Sequence, residues 1–214
     1  MAHSIFLCVL VAVSCSLISG GLIQKREVDE NSTSICGQNA CPSFTILKNL
    51  ADGIQERQYD SFSAPVYKSV QCMDLSSAQS QGYFHLYMYT MAGLNEERRR
   101  LTMGVPVLID VQHIKDVEPK CSWIYSTMFY VGDEALPAPT NPDIKIQNVP
   151  DQRYYVLTFN GFVRNHVDRV VDLREKLYAM NLCYDPSNYY IAQYQSPNTF
   201  LNRRNEIWLP ATDC

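Results

Sequence analysis

Imidazole, thioether, guanidinium and carboxylate groups can ligate a metal, hold an anion or move a proton, and this chain sets few of them in positions suited to such work. It has four histidines, of which His3 lies in the first apolar stretch. His85, in "QGYFHLYMYTMAG", follows Gly82 by three residues and precedes Tyr89 by four, which sets it beside the apolar stripe of a helix. A neutral imidazole there is a candidate metal ligand; the bland alternative is a hydrogen bond at a helix-sheet interface. His113 ends a strand pattern and His166 starts a helical one, so both read as surface residues. Met88, Met91 and Met103 offer soft sulfur or an adaptable pocket wall. Arg98, Arg99 and Arg100 form the one dense basic run, in a polar connection where solvation is the ordinary state. Near the C-terminus, "SPNTFLNRRNEIWLP" sets Arg203 and Arg204 beside Glu206. One arginine is expected to be structural and the other to face a ligand space, and the spacing does not say which is which. Glu56, next to Arg57 in a strand pattern, reads as a paired residue. No nucleophile elbow, HExxH, phosphate-binding loop or dinucleotide fingerprint accompanies these residues.

Composition limits the context in which such groups work. The formal charge is −4 and the chain is 46% hydrophobic and 19% charged, which fits an ordinary globular domain and gives no general attraction for nucleic acid. "IFLCVLVAVSCSLISGG" is too short and too terminal for a comfortable spanning helix and ends in small residues, so residues 1–21 read as a secretory signal peptide, with an uncleaved anchor as the alternative because no Lys or Arg precedes the apolar run. Cys8 and Cys15 would leave with it. Cys36, Cys41, Cys72, Cys121, Cys183 and Cys214 remain, an even number that an oxidising route would pair into disulfides of undetermined connectivity. No CxxC pair or closely spaced Cys/His set points to zinc. "NSTS" at Asn31 is a glycosylation sequon in a polar leader, residues 22–42, that precedes the folded domain of residues 43–214.

The elements that must position these groups follow two periods. "SFTILKNLADGIQERQYD" reads as two short strands around Ala51, Asp52 and Gly53, and "VYKSV" as a third. In "DLSSAQSQGYFHLYMYTMAG", Asp74 or Ser76 caps a helix that Gly93 ends, and Leu75, Ala78, Gly82, Leu86 and Tyr89 form its buried face. Gly82 weakens a helix, so something is expected to come close to the backbone there. "VPVLIDV" and "SWIYSTMFYV" alternate as strands, and "PAPTNPD" divides the chain. Beyond it lie strands at "IKIQ" and "RYYVLTFNG", a helix with Val167, Val170, Leu173, Leu177 and Met180 on one stripe, and strands at "NYYIAQY" and "NEIWL". The two halves share the order strand, strand, helix, strand, strand. That order predicts an α+β domain with internal pseudo-symmetry and a ligand space between sheet and helix.

Several stretches resemble the SOUL family of haem-binding proteins. "YYIAQYQSPNTFLNRRNEIWL" is similar to that family's closing segment, "NEERRRLTMGVPV" to its approach to a Pro-Val strand, and "IQERQYD" to its early Glu-x-Arg-x-Tyr strand. "LPAPTNPDIKIQ" and "FNGF" fall where its proline loop and Gly-Phe turn belong. The resemblance implies a distorted eight-stranded antiparallel β-barrel of two pseudo-symmetric halves, each flanked by a helix. It also implies haem or a related tetrapyrrole held non-covalently in an apolar cleft against the first helix, with Gly82, His85, Leu86, Tyr89, Met103, Arg203 and Arg204 as contacts and His85 as the candidate iron ligand. Departures bear on the ligand. Gln81 and Leu86 stand where relatives carry an arginine and a lysine, Thr199 where they carry a lysine, and Gln58 where one branch carries a histidine.

The expected protein is thus a secreted, disulfide-bonded, glycosylated binding protein for a flat hydrophobic small molecule. It is expected to lack enzymatic activity, nucleic-acid binding and a membrane span once the signal is cleaved. The alternative keeps the fold as an interaction or hydrophobic-ligand module that binds no haem; a hydrolase using Glu56 comes third.

Overall fold

The computed structural model describes residues 35–163, 166–196, 199 and 203–214. The expected signal peptide, the sequon at Asn31 and the leader as far as residue 34 lie outside these residues. The order of elements is β1 (Phe44–Asn49), β2 (Ile54–Tyr59), β3 (Phe62–Lys68), α1 (Leu75–Thr90), β4 (Val107–His113), β5 (Trp123–Phe129), β6 (Ile144–Val149), β7 (Gln152–Asn160), α2 (His166–Ala179), β8 (Asn188–Gln193) and β9 (Arg204–Pro210).

All nine strands join one antiparallel sheet in the order β1-β2-β7-β9-β8-β4-β5-β3-β6. The resemblance implied eight. The ninth is β1, which turns onto β2 through Asp52 at φ 57° and Gly53 at φ 73°, and adds itself to an edge. Without β1 the order is symmetric. Exchanging β2, β3, β4 and β5 with β6, β7, β8 and β9 reverses the list and returns the same sheet, with the β4–β8 pair at its centre. Each half also lends a strand to the other, since β2 pairs with β7 and β6 with β3. The expected pseudo-symmetry is therefore a swapped one, and it ties the halves into a single cooperative unit.

Both faces of the sheet are covered. On one, α2 packs Val170, Leu173 and Leu177 against Ile109, Val111, Ile191, Ile207 and Leu209. Val167, expected on the same stripe, stays half exposed at 50%. Helix α1 presses Ala78, Gly82, Leu86 and Tyr89 onto β5, with Asp74 accepting from the Ser77 amide as its N-cap and Gly93, at φ 70°, following its end. The close approach expected at Gly82 comes from the protein itself. A Cβ there would lie 2.6 Å from Thr127 Cβ and closer still to Thr127 Oγ1.

The other face lies inside the curl, where Tyr59, Phe62, Val66, Leu108, Met128, Tyr154, Ala192 and Trp208 from seven strands meet in one cluster with Tyr194, just past β8. At its centre Arg57 donates from Nη1 and Nη2 to the Glu206 carboxylate at 3.1 Å each, with both side chains fully buried. Tyr194 Oη and Trp208 Nε1 each donate to the same carboxylate at 2.8 Å. Burial pushes the Glu206 carboxyl up, but Arg57 and Arg204 beside it outweigh burial and hold it below the ordinary glutamate range. The curl is thus filled with rings and a satisfied ion pair.

The six cysteines pair as Cys36–Cys41, Cys72–Cys121 and Cys183–Cys214. Cys72–Cys121 links the approach to α1 with the approach to β5, and Cys183–Cys214 fixes the C-terminus to the loop after α2. The short Cys36–Cys41 loop packs into the inner cluster. Ala40 O accepts from the Val105 amide at 2.8 Å, so this last part of the leader is built into the domain. No helix among the described residues is long and apolar enough to cross a membrane.

Candidate functional site

With the curl filled, a cleft of about 860 Å³ opens on the helical face, within the range of small-molecule sites. It opens at the end of the central strand pair, where Val107 of β4 faces Gln193 of β8. Leu75, Gln79, Ser80 and Tyr83 of α1 form one wall. Phe162, Val163 and His166 at the start of α2 form the other, and Met103 to Val105, Tyr194 and Arg203 complete it.

Two polar groups in this cleft stand out. Gln79 Nε2 donates to Gln193 Oε1 at 2.6 Å, bridging α1 to the floor and fixing the orientation of the Gln193 amide. Gln193 is only 5% exposed, and among the described residues its Nε2 has no hydrogen-bond partner. A buried donor without an acceptor is costly, by about 1–3 kcal/mol, and here it borders a cleft large enough to admit one. Arg203 supplies a buried guanidinium at the same cleft, its Cζ 5.0 Å above the Phe162 ring and its Nη1 donating to Thr199 O at 3.3 Å.

The two arginines divide as the sequence allowed. Arg204 is the structural one, with Nη2 donating to Glu206 Oε1 at 2.8 Å, and Arg203 faces the cleft. Met103 lines the cleft as well. Gly82 is occupied by Thr127, while Leu86 and Tyr89 are buried beneath α1, the Tyr89 hydroxyl donating to Pro137 O at 2.7 Å. His85 lies on another flank, stacked on Tyr67 at 4.6 Å and lining a separate hollow of about 190 Å³ with Phe84, Met88 and Asn141. Asn141 Nδ2 donates to its Nδ1 at 3.2 Å, which uses the lone pair on that nitrogen. Spacing set His85 beside the buried face, but on the side away from the large cleft.

His166 is where sequence reasoning missed. It is half-buried rather than a surface residue, and it lines the cleft. Its Nδ1 lies 3.1 Å from Val163 O, and because a carbonyl only accepts, Nδ1 carries the hydrogen. Burial lowers its pKa, more than the Val163 carbonyl and Asp168 raise it, so the neutral ring is favoured. A sequence signal existed: "FNGFVRNH" reads as a turn entering a helix, the kind of position whose side chain points back over the preceding loop.

Glu56 does not line either space. It is 4% exposed and paired with Lys48 and Arg153 at 3.5 Å each. Arg99 pairs with Glu97 at 3.1 Å and Glu134 at 3.0 Å and reaches Ala135 O, so part of the basic run is neutralised at the surface. No cluster of three or more metal-ligating His, Cys, Asp or Glu side chains occurs among the described residues.

Comparison with known proteins decides the family. The model of the SOUL heme-binding protein family matches residues 39–210. The chain belongs to that family. This SOUL protein is 30% identical to Heme-binding protein 2 of Homo sapiens over 149 residues, covering 67% of this chain and 71% of that one. It is 26% identical to Heme-binding protein 2 of Mus musculus over 145 residues, covering 65% and 69%. Among solved structures, the C-terminal domain of EcmrR superposes with a TM-score of 0.59 at 11% identity, covering 75% of this chain and 98% of the other. A hydrolase from Listeria innocua superposes at 0.51, also at 11% identity, covering 74% and 91%. These two likenesses concern the SOUL fold alone.

Proposed function

We propose that this SOUL protein is a secreted, non-enzymatic carrier of haem or a related tetrapyrrole, held non-covalently in the cleft between α1 and α2. The observation that carries the reading is the unsatisfied Gln193 Nε2 and the Arg203 guanidinium in one cleft with the apolar Leu75, Tyr83, Met103, Val105, Phe162 and Val163; the rest of the lining includes the polar Asp74, Ser76, Ser80, Gln195 and Ser196. A flat apolar ring system bearing carboxylates matches that set. The rings and aliphatic side chains take the macrocycle by burial, and the donor and cation take a carboxylate by charge-assisted bonds. When bound, haem would supply an iron centre able to take a ligand from the protein. Family membership and relatives named for heme binding support this ligand class. Three disulfides agree with an oxidising compartment and so with secretion.

A second reading, a hydrophobic-ligand or interaction module without haem, is favoured by the residues that differ from relatives, Gln81, Leu86 and Thr199, which leave Arg203 to serve the carboxylates. Titration of haemin into the oxidised protein separates the two. Saturation at one equivalent with a shifted Soret band is expected; unsaturable partitioning that follows added haemin linearly would leave the second reading standing.

A further inference from the structure

We infer that His166, through its Nε2, would ligate the iron of a haem bound in the α1–α2 cleft, in place of His85. The inference rests on the proposed haem reading and assigns the one contact that reading leaves open. Among the described residues three histidines occur, and His166 alone lines the cleft. Iron takes neutral imidazole through an sp² lone pair, and a second-shell acceptor on the opposite nitrogen is what fixes the ring and its tautomer. His166 has that arrangement. Val163 O holds Nδ1–H at 3.1 Å, which leaves the lone pair on Nε2. The carbonyl belongs to the segment that enters α2, and Val163 itself is part of the cleft wall, so the ring is set by the same backbone that shapes the site. The Tyr189 ring, 6.1 Å away and tilted by 31°, backs the imidazole from β8.

His85 offers the reverse. Asn141 Nδ2 donates to its Nδ1, so Nε2 carries the hydrogen and presents no lone pair. Its hollow of about 190 Å³ is also too small for a tetrapyrrole by comparison with ordinary ligand sites of ~300–1,000 Å³.

The test uses the full oxidised protein loaded with haemin, in wild type, His166→Gly, His166→Gln and His85→Gln, each checked by circular dichroism for native fold. Resonance Raman of the reduced complex reads the iron–imidazole stretch. Wild type is expected to give this band and His85→Gln to keep it. Both His166 variants are expected to lose it, with affinity falling by about 10–100-fold. Free imidazole is expected to restore the band in His166→Gly, a rescue that a merely structural role would not produce. Persistence of the band in both His166 variants, or its absence from a wild-type complex that saturates at one equivalent, overturns the assignment while the haem reading stands. Failure of wild type to saturate at all removes the haem reading and the assignment with it.

Discussion

Replacing Glu206 by glutamine removes the negative charge that Arg57 faces inside the curl; among the cleft-lining residues it touches Tyr194, whose hydroxyl donates to that carboxylate. Seven donor contacts reach this carboxylate: two from Arg57, two from Arg204, and one each from Tyr194, Trp208 and Thr158. A glutamine accepts through one oxygen and turns an amide donor toward the remaining partners, while a fully buried guanidinium loses its counter-charge. Breaking a buried pair in this way costs about 3–5 kcal/mol. For a chain of this size each kcal/mol moves Tm by about 2–4 °C, so Glu206→Gln is expected to melt about 6–20 °C below wild type. In the double variant Arg57→Met/Glu206→Met both buried charges are gone, but Tyr194 Oη and Trp208 Nε1 lose their acceptor at about 1–3 kcal/mol each and Arg204 loses its carboxylate partner. Comparison of the double variant with Glu206→Gln therefore separates the cost of the uncompensated guanidinium from that of the orphaned donors. Guanidinium denaturation and thermal melts followed by circular dichroism measure both. A Glu206→Gln protein melting within about 2 °C of wild type would refute the claim that this pair organises the interior.

The same pair sets the acid limb of stability. The folded carboxyl lies below its ordinary value of 4.5, so its contribution is complete above that value and is lost as pH falls through the folded pKa. Acid titration of stability should show this loss in wild type, and a flatter profile below pH 4.5 in Glu206→Gln; identical profiles would contradict it. Gly82→Ala gains about 1 kcal/mol of helix propensity but drives a Cβ into Thr127, at a cost of about 1–3 kcal/mol. Because Thr127 Cβ itself is the obstacle at 2.6 Å, Thr127→Ala should fail to rescue the variant and Thr127→Gly should succeed, as a double-mutant cycle of melting temperatures will report. Replacing Cys72 and Cys121 together opens a loop with a sequence separation of 49, worth about 4 kcal/mol by loop entropy, against about 2 kcal/mol for the Cys36–Cys41 loop with a separation of 5. Equal losses in denaturant midpoints would argue against that ranking.

Much of the fold was legible because its signals are local. Asp74 as cap, Gly93 after the last turn and the stripe from Ala78 to Tyr89 specify α1 without reference to anything else. Alternation in "VLIDV" and "IYSTMF" marks strands even though both faces are buried. What sequence does not carry is which elements meet. Arg57 and Glu206 are 149 residues apart, and β2 brings them together only through its exchange onto β7. The gap at Gly82 was readable as a close approach, whereas its filler, Thr127, depended on the packing of β5 against α1. For the candidate site, the sequence left open which of Arg203 and Arg204 is held structurally; strand parity gives the direction, since Glu206 lies two residues from Arg204, hence on the same side of β9. His166 lines the cleft and His85 a separate hollow for a similar reason. Helical spacing gives an angle around an axis, and the neighbour at that angle is supplied by the tertiary fold.

The most direct test of the cleft as the haem site compares haemin dissociation constants of wild type and Ser80→Trp. Ser80 is exposed on α1 and lines the cleft, so an indole there fills the space without touching the inner cluster. Saturable binding at one equivalent in wild type, weakened at least about tenfold in a natively folded Ser80→Trp protein, a difference of ~1.4 kcal/mol, is the expected result. Equal affinity in the two proteins would contradict it and place the ligand elsewhere.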